Sequence, residues 1–323
     1  MGKRALTIVL LASLCLAAVP ALAAPLQKSE ISPGANWMLH ADLDVFRNST
    51  LGKLVLAELK ARGVDAKLQD FATIFSFNPL TDIRGVTLYG KGQDRNNAVA
   101  IFDGRFDPDK LLNVVRWNAQ YQEIPYQGVT LYRWLNEDKK KDTTTEQLMY
   151  GYIHKGQQVV ISSGLDALKG AVDTLKGSGT GGSTGLVSQI PQGDKGTFLQ
   201  IAATGIGEMV GQNPQAAILK QADSLSLGAG EATEKVFIGV RLQGQSPEVA
   251  ENMLKMAQGV LAMAQLAAQE QPKLSELAKN VNVAREDKTV QVRFEAASQS
   301  IFTFLKEQWQ QKTQQQQTQT KAQ

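Results

Sequence analysis

Cysteine is almost missing from this chain. The single one, Cys15, lies in the N-terminal apolar stretch, so nothing beyond it can form a disulfide, a thiolate metal site or a cysteine nucleophile. Histidine is nearly as scarce, with His40 and His154 alone. Charge of one sign is missing too: 34 basic residues face 31 acidic ones, a formal charge of +3 that is too small and too evenly spread to argue for nucleic acid. Past the N-terminus no apolar run is long enough to cross a bilayer. There is no Walker loop, no H-E-x-x-H and no EF-hand loop. These absences remove most recognisable chemistries and leave a chain with 43% apolar and 20% charged residues, ordinary for a globular protein with a core.

What the N-terminus does carry is an export signal. Lys3 and Arg4 precede the apolar stretch "ALTIVLLASLCLAAV", and "ALAA" supplies small residues for cleavage after Ala23. Loss of this leader leaves 32 basic against 31 acidic residues. Leu14, where a small residue is needed, argues against lipidation at Cys15. The expected product is exported, periplasmic or secreted, with no transmembrane segment after cleavage.

Residues 24–35 read as an N-terminal linker, 36–176 as a first module, and 197–309 as a second. The Gly/Ser-rich segment 177–196 joins the modules, and a Gln-rich, disordered tail spans 310–323. The modules read as variations on one plan. Each opens with a strand, "WMLHADL" or "TFLQIAA", followed by a helix and two more strands. Asp107-Pro108-Asp109 and Ser246-Pro247-Glu248 then start a helix in each, with a capping side chain, a proline that needs no N–H, and a carboxylate at the positive end of the dipole. Each module closes with a hairpin and a helix, Ser163 and Asp166 resembling a capping box in the first. The first carries an extra hairpin, "IPYQGVTLYRWL". The fold class is α+β: two related halves, each a mainly antiparallel sheet covered by helices.

Candidate chemistry is thin. In "WMLHADLD", His40, Asp42 and Asp44 alternate with Leu39, Ala41, Leu43 and Val45. The preferred reading places the apolar set on the core and the polar set toward water or a groove. The alternative is a metal-assisted hydrolase using His40, Asp42 and His154, which requires distant strands to be neighbours. Gly177–Gly182 fits G-x-G-x-x-G and Gly181–Gly185 fits G-x-S-x-G, but neither has the strand and helix such motifs need. Lys139, Lys140 and Lys141 are flanked by acids and read as a solvated loop. The Met-rich helix from Pro247 presents Met253, Met256 and Val260 at helical spacing. They are the candidate ligand-binding residues, since methionine adapts to varied hydrophobic ligands, although covering a sheet accounts for the same stripe. Phe71, Ile74, Phe75 and Phe77 are read in the same way.

The run "WMLHADLDVFRNSTLGKLVLAEL", followed by "IRGVTLYG", resembles the opening of a loosely defined set of uncharacterised exported bacterial proteins. The resemblance implies an envelope or secreted location and carries no catalytic residues. The function expected is non-enzymatic binding in the bacterial envelope. Its partner would be an envelope protein or a hydrophobic small molecule; no cofactor and no nucleic acid are implied.

Overall fold

Trp37–Asp42 (β1) and Thr197–Thr204 (β8), the strands that open the two halves, lie side by side and antiparallel, with His40 opposite Gln200 and Met38 opposite Ala202. This seam joins what the sequence presents as two sheets into one. In a computed structural model, which describes residues 24–64, 66, 68, 72–73, 77–136, 147–177, 185–209, 219–267 and 272–321, twelve strands form one antiparallel sheet. The α+β class and the antiparallel pairing agree with the sequence reading. The separate sheets do not, because each half presents its first strand as an unpaired edge and the two edges pair.

From the seam, one side continues through Ile83–Gly90 (β2), Ala98–Gly104 (β3), Gln158–Ser162 (β7) and Leu148–His154 (β6). It ends in the extra hairpin Val129–Leu135 (β5) and Gln122–Tyr126 (β4). The other side continues through Ala222–Ala232 (β9), Lys235–Gly244 (β10), Thr289–Ala297 (β12) and Val281–Glu286 (β11). Two hairpins turn through Gln127-Gly128, a two-residue loop, and Lys155-Gly156-Gln157, a three-residue one; Gln127, Gly128, Lys155 and Gly156 all take the positive φ such turns require.

The principal helices are Leu43–Asn48 (α1), Thr50–Ala61 (α2), Pro108–Arg116 (α3), Leu165–Leu175 (α4), Pro247–Ala267 (α5) and Ser298–Lys321 (α6). Their starts follow local chemistry. Asp107 accepts from the Lys110 amide at 3.2 Å, and Ser246 accepts from the Val249 amide at 3.2 Å, so both expected caps form. Ser49 caps α2 through the Gly52 amide. The capping box at Ser163 does not form: α4 begins after Gly164, and Ser163 instead donates to the Arg95 carbonyl. A side chain on residue 164 would drive its Cβ to 2.0 Å from the Asn96 carbonyl oxygen, so the close approach of that loop fixes glycine there.

Directly paired residues in an antiparallel ladder point to the same face. The register therefore sorts the core, and the two halves use opposite faces. On the first face Met38, Tyr89, Val99, Ile101, Val160 and Ala202 pack with Leu168, Ala171 and Val172 of α4. On the second face Val240, Leu242 and Val290 pack with Ala250 and Met253 of α5. Nearby, Val236 and Ile238 meet Leu51 of α2 and Phe302 of α6.

Two expected segment boundaries change. The residues after Ala23 are not a free linker: Ile31 is buried in the first core, and Ser32 donates to the Tyr89 hydroxyl. The interdomain linker ends early, since Leu186 and Ile190 are buried in that same core; residues 178–184, which carry most of both Gly-rich motifs, lie outside the described residues. Lys139–Lys141 and Phe71, Ile74 and Phe75 also lie outside the described residues, while the Phe77 ring packs on Phe106 at 5.1 Å.

Candidate functional site

The polar face of β1 is not the wet one. Met38, His40 and Asp42 are the buried residues of that strand, and Leu39 and Ala41 are the partly exposed ones. The reason is the seam: with strands on both sides of β1, its two faces are covered by different layers, and the His40 face belongs to the first core. The strand also ends sooner than expected. Asp42 caps α1 by accepting from the Val45 amide at 2.9 Å, and Asp44 sits in that helix, paired with Arg47. Their roles are those of turn and cap residues.

His40 is held by the Thr87 hydroxyl, 2.9 Å from Nδ1, while Nε2 is buried without a hydrogen-bond partner. Burial pulls its pKa down to about 4, opposed in part by the nearby Ala24 backbone. His154 ends β6 on the same face, with Nδ1 3.2 Å from the Tyr152 hydroxyl. Burial lowers its pKa as well, helped by Lys155. β2, β3 and β7 lie between the two histidine strands. Four strand spacings amount to about 19 Å, so no single ion can be shared. Among the described residues no group of three or more metal-ligating side chains converges. The structure therefore does not assemble His40, Asp42 and His154 into the hydrolase constellation.

Around His40 there is instead a small polar cavity of about 180 Å³. Its floor is sheet: His40, Thr87, Ile101, Asp103 and Gln158, with Gly85 and Arg84 beside them. Its cover is the N-terminal strap, with Ala24, Pro25, Gln27 and Glu30. Arg84 pairs with Asp103 at 2.7 Å, and Gln158 donates to Glu30 at 3.0 Å. Burial raises the Glu30 pKa; the Gln158 hydrogen bond offsets part of this and the Asp103 charge adds to it.

A larger concavity lies elsewhere, a groove of about 930 Å³ on the first face of the second half. Among the described residues no buried apolar cluster covers that face of β9, β10 and β12. Ser224, Ser226, Arg241, Gln243, Gln291 and Arg293 point into it from adjacent strands, with Phe237 at one end. The segment around Gln189 to Asp194 makes its wall, tied down by Ser224 to Gln189 at 2.9 Å and by Gln200 to the Pro191 carbonyl at 2.8 Å. The sequence carried a signal for this groove in the alternation of "SLSLGAG" and "TVQVRFEA", which marks a sheet with one solvated face.

The Met-rich helix divides in two. Met253 is wholly buried in the second core, so it holds α5 to the sheet and faces no ligand. Met256 is partly buried and lies 3.9 Å from the Gln221 amide nitrogen. Val260 is 66% exposed, Met263 72% and Leu266 63%. The outer half of α5 therefore projects an apolar stripe into solvent. Among the described residues no helix is long and apolar enough to cross a membrane.

No protein-family model matches the chain, and no curated protein matches it. Similar solved structures are crystal forms of TP0453. Form III has 9% identity and a TM-score of 0.43 over 87% of this chain and 98% of that one. Form I has 9% identity and a TM-score of 0.40 over 87% and 97%. Form IV has 10% identity and a TM-score of 0.41 over 88% and 97%.

Proposed function

We propose that this chain is a non-enzymatic interaction protein of the bacterial envelope, and that the outer half of α5 docks into an apolar groove on a protein partner. The observation that supports the reading is the exposure of Val260, Met263 and Leu266 on a helix whose inner half is anchored by Ala250 and Met253. Isolated surface leucines are ordinary, but three large apolar side chains on consecutive turns of one helix form a continuous patch. Met256 to Gln269 contains no charged residue. Helices that lie on anionic membrane surfaces carry Lys and Arg along their polar face. This one carries glutamine there, which suits recognition of a helix by a protein groove.

A photo-crosslinking residue at position 263 of the full chain tests the reading in the native envelope, with the exposed position 235 at the start of β10 as control. A discrete protein adduct at 263, absent at 235 and lost with V260S/L266S, is the expected result. Adducts with lipid alone, or none at either position, would overturn it.

A second reading is binding of a polar ligand in the 930 Å³ groove, favoured by its size and by the hydroxyl, amide and guanidinium groups that converge on it. R241A/R293A separates the two readings: it leaves the crosslink at 263 intact and removes ligand capture by the groove.

A further inference from the structure

The cavity over His40 holds more negative than positive charge at short range. Glu30 and Asp103 line it, and Arg84 is the one cation among its lining residues, already engaged by Asp103. Glu30 has the neutral Gln158 amide as its hydrogen-bond partner, with Lys155 acting on it only at longer range. His40 places an unpartnered, fully buried nitrogen on the same floor. A half-buried carboxylate whose hydrogen-bond partner is neutral calls for a cation.

The chain itself brings a candidate to this place. Ala24, the residue that follows the expected cleavage point, lines the cavity. It lies so close to β2 that a side chain on residue 85 would put its Cβ 2.9 Å from the Ala24 Cβ and 3.3 Å from the Ala24 carbonyl oxygen. Gly85 is what lets the strap lie flat on the sheet. The rest of the strap is pinned behind it: Glu30 by Gln158, Ile31 in the core, Ser32 by Tyr89 and Thr174. A backbone nitrogen lies about 1.46 Å from its own Cα, so the nitrogen of Ala24 stays at this cavity wherever the preceding residues go.

We propose that cleavage after Ala23 turns the Ala24 nitrogen into an α-ammonium ligand of the cavity, bound by Glu30, so that removal of the leader completes the first core. Before cleavage the nitrogen is a neutral amide preceded by an apolar leader, and Glu30 lacks this cation. The precursor is therefore less stable than the product, which suits a chain that must cross a membrane before folding. The site belongs to the fold and does not depend on the docking role of α5.

The test compares the mature chain, exported and purified, with a chain carrying one extra glycine between the leader and Ala24. Competitive labelling of α-amines at neutral pH and thermal unfolding are read for both, after intact mass fixes the first residue. The mature α-amine is expected to label about tenfold more slowly than the extended one, as a pKa raised by about one unit by a carboxylate dictates. The extended chain is expected to melt about 2 °C lower. Glu30→Gln should raise the labelling rate of the mature chain and abolish the difference in melting. Equal labelling rates in the mature and extended chains, or a mature mass that does not begin at Ala24, would overturn the proposal without reference to any substitution.

Discussion

The Glu231 carboxylate accepts the backbone amide of Leu51 at 2.8 Å, across 180 residues of sequence. Ser298 donates to that same oxygen at 2.7 Å, and the other oxygen accepts the Thr50 amide at 2.6 Å. One side chain at the end of β9 thus caps α2 and fixes the start of α6. Burial alone would raise the Glu231 pKa, but the bonds from Leu51, Ser298 and Thr50 hold it below the ordinary glutamate range.

Glu231→Gln should therefore destabilise the chain by about 2 kcal/mol, the usual worth of hydrogen bonds to a charged acceptor. The folded pKa is depressed, so this contribution is present above the unfolded glutamate pKa and is lost as pH falls through the folded one. Urea unfolding at pH 7 and at pH 3 checks both parts. The difference between wild type and variant should shrink at the lower pH, and a difference that is unchanged or larger would refute the assignment.

His40 acts on the pH profile over a different range. With a folded pKa of about 4 against an ordinary 6.5, the unfolded chain takes up a proton that the folded chain refuses. Stability is unaffected above pH 6.5 and declines as pH falls from there toward 4, by at most about 3 kcal/mol. His40→Gln should remove that part of the acid decline. Unfolding midpoints that fall equally in both proteins between pH 7 and 4.5 would show that His40 is not responsible.

How much of this was legible follows from where each signal resides. The caps at Asp107 and Ser246 and the extra hairpin are local, and local sequence shows them. The seam between β1 and β8 depends on which edges meet, which no local pattern encodes. The solvent-facing expectation for His40 and Asp42 fails for that reason: alternation in β1 is real, but a strand in the middle of a sheet has no face assigned to water until its neighbours are known. The second-half strands alternate more cleanly, and their polar residues do line an open groove. In the Met-rich helix the spacing was right but could not show where along α5 the sheet ends.

Met253 and Met263 sit on one helix and should behave oppositely. Met253→Ala leaves a hole beside Ala250, Leu242 and Val290 and should destabilise by about 2–5 kcal/mol. Met263→Ser exposes no new cavity and should stay within about 0.5 kcal/mol of wild type. Denaturant titrations of the two variants decide this, and a large loss at Met263 would mean that the outer half of α5 is packed in solution.

The seam makes one more demand. Ala202 belongs to the second half of the sequence, yet it is fully buried opposite Met38 in the core of the first half. Met38 fills the space that a larger residue at 202 would need. Ala202→Leu therefore overpacks the first core and should destabilise by about 1–3 kcal/mol. The location of the damage is the sharper test. Hydrogen exchange should speed up most in β2, β3 and β7, whose Tyr89, Val99, Ile101 and Val160 share that core, rather than in β10 and β12, whose packed residues lie on the other face. Faster exchange confined to β9 to β12 would show that each half keeps its own core and that the seam joins them by hydrogen bonds alone.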